Sequence, residues 1–165
     1  EGEDTVPNYY SVKEIPAAEF QQTFLAAYPE QSTYSSADFL RKLAAWYARR
    51  GIQVECVQTD NGFEFTNRFS NSKRDLQMLF EKTAAELGIR HKLIRPYTPR
   101  HNGKVERSHR NDHERFYNHL SFYSFDDLQL QMKRYLRRSN DIPMSVLGWK
   151  SPNARQRELS RDQNI

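Results

Sequence analysis

The chain is poor in cysteine: among its 165 residues, Cys56 is the sole thiol. That excludes an internal disulfide and any zinc site built on two or more thiolates. With nothing to keep oxidised, a reducing compartment is the expected home. Long apolar runs are missing too, since none approaches the roughly 20 residues of a membrane-spanning helix. The opening stretch EGEDTVPNYY is acidic and polar, unlike a secretory signal. There is no internal repeat and no low-complexity linker. What remains suits one compact domain. Hydrophobic residues make up 37% and aromatics 13%, enough for a core, so the 28% of charged residues does not imply disorder.

Charge is more informative in its placement than in its sum. The formal net charge is +4, from 25 Lys and Arg against 21 acids. Residues 90 to 115 alone hold eight cations (Arg90, Lys92, Arg95, Arg100, Lys104, Arg107, Arg110, Arg115) and three acids, a local +5. Four of the five histidines lie there as well. A stripe of this kind can neutralise phosphates and release their counterions. An isolated basic run would more ordinarily be a solvated face.

Periodicity and punctuation give the elements. Tyr9 to Ile15 and Thr23 to Tyr28 read as short strands, interrupted by Pro16 and ended by Pro29. Ser35 with Asp38 resembles a helix cap, followed by Phe39, Leu40, Leu43, Ala44 and Trp46/Tyr47 at helical spacing up to Gly51. Ile52 to Gln58 is a strand candidate, with Cys56 and both Trp46 and Trp149 assigned to the core. A helix through Leu76, Leu79, Phe80, Thr83, Ala84 and Leu87 closes at Gly88, and Ile89 to Arg95 returns as a strand. Pro96 to Gly103 is a loop, because two prolines and an Asn-Gly pair fit no regular element. A polar helix is expected from Lys104 to about Leu120. Another is capped by Ser124 with Asp127 and carries Leu128, Met132, Tyr135 and Leu136 on one face. The tail after Asp141 is expected to wrap irregularly. This alternation predicts a layered α/β domain.

Two carboxylates stand out by position. Asp60 follows a strand, where ligands gather in open α/β sheets, although Asp before Asn-Gly is also ordinary turn chemistry. Glu106 opens the basic helix, where an acid also simply suits the helix dipole. Among Lys104, Arg107 and Arg110, however, an acid could hold a divalent cation against phosphate. Two carboxylates from a strand end and a helix start are what hard Mg2+ or Mn2+ ions require, and paired ions can drive phosphodiester chemistry. His109 and His113 share a helical face, but with no thiol partner and no HExxH pattern they read as solvated or phosphate-facing. Tyr97 could stack on a base or pack on its flanking prolines.

Taken in order, Thr59-Asp60-Asn61-Gly62-Phe63-Glu64-Phe65, Phe80 with Ala85-Glu86-Leu87-Gly88-Ile89, Arg95-Pro96-Tyr97-Thr98-Pro99 and Asn102-Gly103-Lys104-Val105-Glu106-Arg107 resemble the catalytic core of insertion-sequence transposases and retroviral integrases. Ile142-Pro143 and Leu147-Gly148-Trp149-Lys150-Ser151-Pro152 are similar to that family's closing segment. The resemblance covers roughly residues 20 to 157. It implies a ribonuclease-H-like fold, a mixed five-stranded sheet with helices on both faces. It implies Asp60 and Glu106 as the second and third metal carboxylates, with Asn102, Lys104, Arg107 and Arg110 on DNA. The domain plan is then a lead-in (1–8), the core (9–157) and a tail (158–165).

Two departures accompany the resemblance. Asp60 and Glu106 are separated by 45 residues, more than is usual in the family, with the polar stretch Asn67 to Asp75 as the place for the excess. The family's first aspartate falls at Ala17, and no Asp lies between Thr5 and Asp38. Glu14 or Glu19 could substitute, or the domain could be degenerate. The expected activity is Mg2+- or Mn2+-dependent DNA cleavage and strand transfer by a homodimer, in cytoplasm or nucleoid. The rivals are a non-catalytic DNA-binding or assembly module and a general ribonuclease-H-like nuclease.

Overall fold

The computed structural model describes residues 11–16 as backbone, and 21–67, 78–95 and 103–162 with side chains except at 104 and 105. Its elements run β1 (Ser11–Pro16), β2 (Thr23–Tyr28), α1 (Thr33–Ala48), β3 (Cys56–Thr59), α2 (Leu79–Glu86), β4 (Arg90–Leu93), α3 (Gly103–Arg115), α4 (Phe125–Ser139) and α5 (Pro152–Asp162). Short 3-10 turns occupy Tyr117–His119 and Ser145–Leu147. The element order is the expected one with α5 added. Two compact units result, one of residues 1–29 with 104–165 and one of residues 30–103. The four described strands form two two-stranded ladders, β1-β2 and β3-β4.

In the first unit, β1 and β2 pair antiparallel from Ser11↔Tyr28 to Pro16↔Thr23. Proline is tolerated at that last rung because little ladder remains for its missing N–H to serve. Phe24 and Leu25 are adjacent yet both buried, as are Ala27 and Tyr28. Neighbouring strand residues point to opposite faces, so both faces of β2 are covered. α4 packs on β2. It buries Leu128, Met132 and Leu136 on one stripe, and the Ser124 hydroxyl caps it by accepting from Asp127 N at 3.1 Å. Asp126 and Asp127 lie in its first turn and Arg137 and Arg138 in its last, as the helix dipole favours.

Asn140, just past α4, ties the unit together. Its amide Nδ2 donates to Thr23 O at 2.8 Å and its Oδ1 accepts from Thr23 N at 2.9 Å. It thereby serves both backbone groups at the start of β2, as a neighbouring strand would. Its own carbonyl accepts from Asn153 N at 3.0 Å, at the start of α5.

The segment after Asp141 is more regular than expected. α5 begins on Pro152, a residue suited to a helix's first position, with Ser151 Oγ accepting from Ala154 N at 3.2 Å. Residues 158–162, set apart above as tail, belong to this helix. Glu158 is bound by Lys150 and, at 2.8 Å, by Arg155. Those two cationic donors, Lys150 first, hold its carboxyl below the usual range. Trp149 is not core: it is 75% exposed. With φ of 62° at Gly148 and 63° at Trp149, the chain turns sharply there and directs the indole outward.

In the second unit, α1 buries Phe39, Leu40, Leu43, Trp46 and Tyr47. Its cap is Ser32 rather than Ser35: Ser32 Oγ accepts from Ser35 N at 3.2 Å, and Ser35 lies buried within the helix. α2 packs Phe80, Thr83 and Ala84 toward α1 and ends at Gly88, whose φ of 69° a side chain would resist. β3 and β4 pair in parallel from Cys56↔Arg90 to Thr59↔Leu93, with α2 lying between them in the chain. Along β3, Val57 and Thr59 are buried while Cys56 and Gln58 are exposed. Cys56 is therefore not the core residue expected of it, because the alternation puts Val57 inward instead.

Candidate active site

Asp60 emerges at the carboxyl end of β3 with its side chain exposed. Three contacts fix its backbone and its direction. Thr59 O accepts from Ile94 N at 3.0 Å, and Asn61 Nδ2 donates to Ile94 O at 3.3 Å, so the ends of both strands are joined. Asp60 Oδ1 accepts from Gly62 N at 2.9 Å, closing a local turn. Glycine leaves room for this approach, since a Cβ at Gly62 would stand 3.0 Å from Asp60 Oδ1 and 3.4 Å from Phe65 Cδ2, and the carboxylate would have to shift. Gly62 O in turn accepts from Phe65 N and Thr66 N. Glu64, on the same turn, is only 5% exposed. Of the two acids, Asp60 is the one open to an incoming cation.

Glu106 lies in the first turn of α3 and is exposed, as are Arg107 and Arg110. Among the described residues, none of the three is engaged in an ion pair. They differ in this from Arg41, Lys42, Lys150 and Arg155, which are all bound to acids. The Lys104 backbone belongs to the same first turn. Asn102, with Tyr97 and the rest of 96–102, lies outside the described residues, and so do Ala17 and Glu19. Glu14 sits on β1 opposite Leu25, with its side chain outside the description. Each unit thus presents one of the two carboxylates: Asp60 belongs to residues 30–103 and Glu106 to 104–165.

As donors, two exposed carboxylates are hard oxygen ligands, suited to Mg2+ or Mn2+ and poorly suited to soft metals. Among the described residues no cluster of three or more His, Cys, Asp or Glu is placed to hold a metal. Of the histidine pair on α3, His113 is otherwise employed. His113 Nδ1 is 3.2 Å from Asn118 Oδ1, and its ring meets Tyr117 edge-on at 5.6 Å. A groove of about 360 Å³ in the second unit is lined by Ala44, Ala48, Ile52, Val54, Leu87 and Ile89, among others, and none of its lining residues is a carboxylate.

The motifs alone do not reveal His91. Its Nε2 lies 2.8 Å from Thr59 Oγ1, its Nδ1 lies 3.9 Å from Glu81 Oε1, and its ring meets Phe80 edge-on at 5.0 Å. A lone histidine in Arg90-His91-Lys92-Leu93 reads as one more basic residue. Only the parallel pairing with β3, which places His91 beside Val57, brings it to Thr59.

Comparison with known proteins agrees with the motifs. Residues 87–152 match the model of the integrase core domain. A protein of Spiroplasma virus SpV1-C74, named "Putative integrase ORF3", is 30% identical over 115 residues, which is 64% of this chain and 32% of that protein. The chain thus spans about a third of the length of this relative. The catalytic core domain of BIV integrase shares the fold with a TM-score of 0.64 at 19% identity, over 96% of this chain and 92% of that one. A chain of the simian T-cell lymphotropic virus intasome, solved with the PP2A regulatory subunit B56 gamma, has a TM-score of 0.63 at 15% identity. That match covers 89% of this chain and 48% of the other. The resemblance to integrase and transposase cores holds, and the fold is the ribonuclease-H-like α/β fold of integrase catalytic cores.

Proposed function

From the premise of an integrase- or transposase-type core, we propose that this chain carries out Mg2+- or Mn2+-dependent DNA cleavage and strand transfer. The observation that carries the proposal is the exposed Asp60 carboxylate, set at the end of a parallel strand by a glycine that leaves room for it. The integrase-core match, which spans Glu106, supports the second acid. Asp60 and Glu106 would hold the metal, which when bound supplies charge stabilisation at a phosphodiester and an activated attacking oxygen. Asn102, Lys104, Arg107 and Arg110 would hold the DNA backbone, and the exposure of Arg107 and Arg110, with no ion pair to either among the described residues, favours that role. Cleavage transfers the phosphorus from its 3′-oxygen to water. Joining transfers a target phosphorus from its own 3′-oxygen, which leaves as a hydroxyl, to the freed 3′-hydroxyl. In this reading the two strand ladders are parts of one mixed five-stranded sheet. The acting species is a homodimer that brings two DNA ends together, in the cytoplasm or at the nucleoid.

A second reading rests on Ala17, which stands where the family has its first aspartate: a DNA-binding or assembly module without chemistry. Asp60→Asn separates the two. In the enzyme reading it abolishes Mn2+-dependent cleavage of a DNA end and leaves DNA affinity within about twofold, since one acid is traded for a neutral isostere. Cleavage unaffected by the change would remove Asp60 from the mechanism. Wild-type protein that binds DNA but takes up no Mn2+ in calorimetry would leave the module reading standing.

A further inference from the structure

We propose that His91 is a positioning residue for Asp60, acting through Thr59 as a hydrogen-bond donor from Nε2. The inference rests on the reading of Asp60 as a metal carboxylate.

The argument begins with proton counting. The Thr59 hydroxyl has one hydrogen, and Oγ1 donates it to Asp60 O at 2.9 Å. The same oxygen lies 2.8 Å from His91 Nε2. Because its hydrogen is already placed, Oγ1 can only accept there, so Nε2 must carry a proton. On the far side of the ring, the Glu81 carboxylate stands 3.9 Å from Nδ1. At 3.9 Å that carboxylate is beyond hydrogen-bond distance of Nδ1, so the requirement at Thr59 decides where the ring proton sits, and both the imidazolium and the Nε2–H tautomer meet it. The ring itself cannot swing freely. His91 has only 10% of its side chain exposed and lies edge-on to Phe80, which in turn meets Phe65 edge-on at 5.1 Å.

The chain of contacts therefore runs from Glu81 on α2, through His91 on β4, to Thr59 at the end of β3 and onto the Asp60 carbonyl. All four residues lie in the unit of residues 30–103. Its effect is mechanical. The Asp60 backbone is gripped at its carbonyl by Thr59, while its carboxylate is gripped by Gly62 N. Removing the His91 donor leaves Thr59 Oγ1 free to rotate, and the Asp60 peptide loses one of these restraints. Partners that orient a metal ligand without touching the metal are worth about 10–100-fold in metal affinity.

The test uses the full chain and two readouts that need no turnover. Nitrogen-15 NMR of the wild-type imidazole, above the ring's ordinary titration range, should show the proton on Nε2; a proton on Nδ1 overturns the proposal. Mn2+ binding, followed by electron paramagnetic resonance of the free ion, should weaken about tenfold in His91→Phe. His91→Gln, whose amide can still donate to Thr59, should recover most of that loss. Thr59→Val should weaken Mn2+ binding as much as His91→Phe, and the double variant no more than either. Unchanged Mn2+ affinity in a folded His91→Phe protein, with Asp60→Asn abolishing it, would sink the positioning role and spare Asp60. Mn2+ affinity indifferent to Asp60→Asn would instead take down the metal reading and this inference with it.

Discussion

At the scale of single residues, the turn after β3 is decided by what glycine leaves out. At Gly62 a methyl group would press on Asp60 Oδ1 at 3.0 Å, closer than carbon and oxygen ordinarily sit, and the movable partner is the carboxylate. Gly62→Ala should therefore fold with little change in melting temperature while raising the Mn2+ concentration needed for half-maximal cleavage by about tenfold. A parallel drop in stability and activity would point to a damaged turn instead. Asp60, Asn61 and Gly62 are legible in the sequence as turn chemistry, and their catalytic reading comes from the company they keep. Thr59 and His91 are not legible, because the contact that gives them meaning joins residues 32 positions apart in sequence.

At the scale of elements, the junction of β2, α4 and α5 hangs on one side chain. Asn140→Ala would leave both backbone groups of Thr23 without their partners, and the buried position offers them little water. It should lower the unfolding free energy by about 2–3 kcal/mol, read from the urea midpoint. A cost below about 0.5 kcal/mol would mean that the strand finds other partners. The elements differ in how plainly the sequence states them. β2 is bounded by Pro29 and apolar from Phe24 onward. α4 has a Ser124–Asp127 cap and a clean stripe of Leu128, Met132 and Leu136. α5 is hidden because its sequence, Pro152 to Asp162, buries only Pro152 and Gln156 and so carries no apolar period. The start of α1 is ambiguous for another reason: Ser32, Ser35 and Ser36 all offer capping hydroxyls, and packing selects the first. Along β3 the phase of alternation depends on where pairing begins, which no local pattern states, and hence Cys56 is misassigned.

At the scale of the whole molecule, the excess of cations is small but concentrated where the proposed function needs it. If Arg107 and Arg110 each neutralise a phosphate, replacing both with Gln should make log affinity fall less steeply with log salt, the slope losing about 2 in magnitude. An unchanged slope with weaker binding would say that they act through α3's structure and not through DNA. The five-stranded sheet implied by the resemblance is not something the sequence states residue by residue, because β3 and β4 are four residues each and declare no neighbours. The division into units has a temporal side as well. Residues 30–103 are contiguous, whereas the other unit is assembled from residues 1–29 and 104–165. During synthesis the middle of the chain can close on itself as it leaves the ribosome, while β2 waits, its apolar faces bare, for α4 to arrive about a hundred residues later. That interval is when the nascent chain has most need of a chaperone.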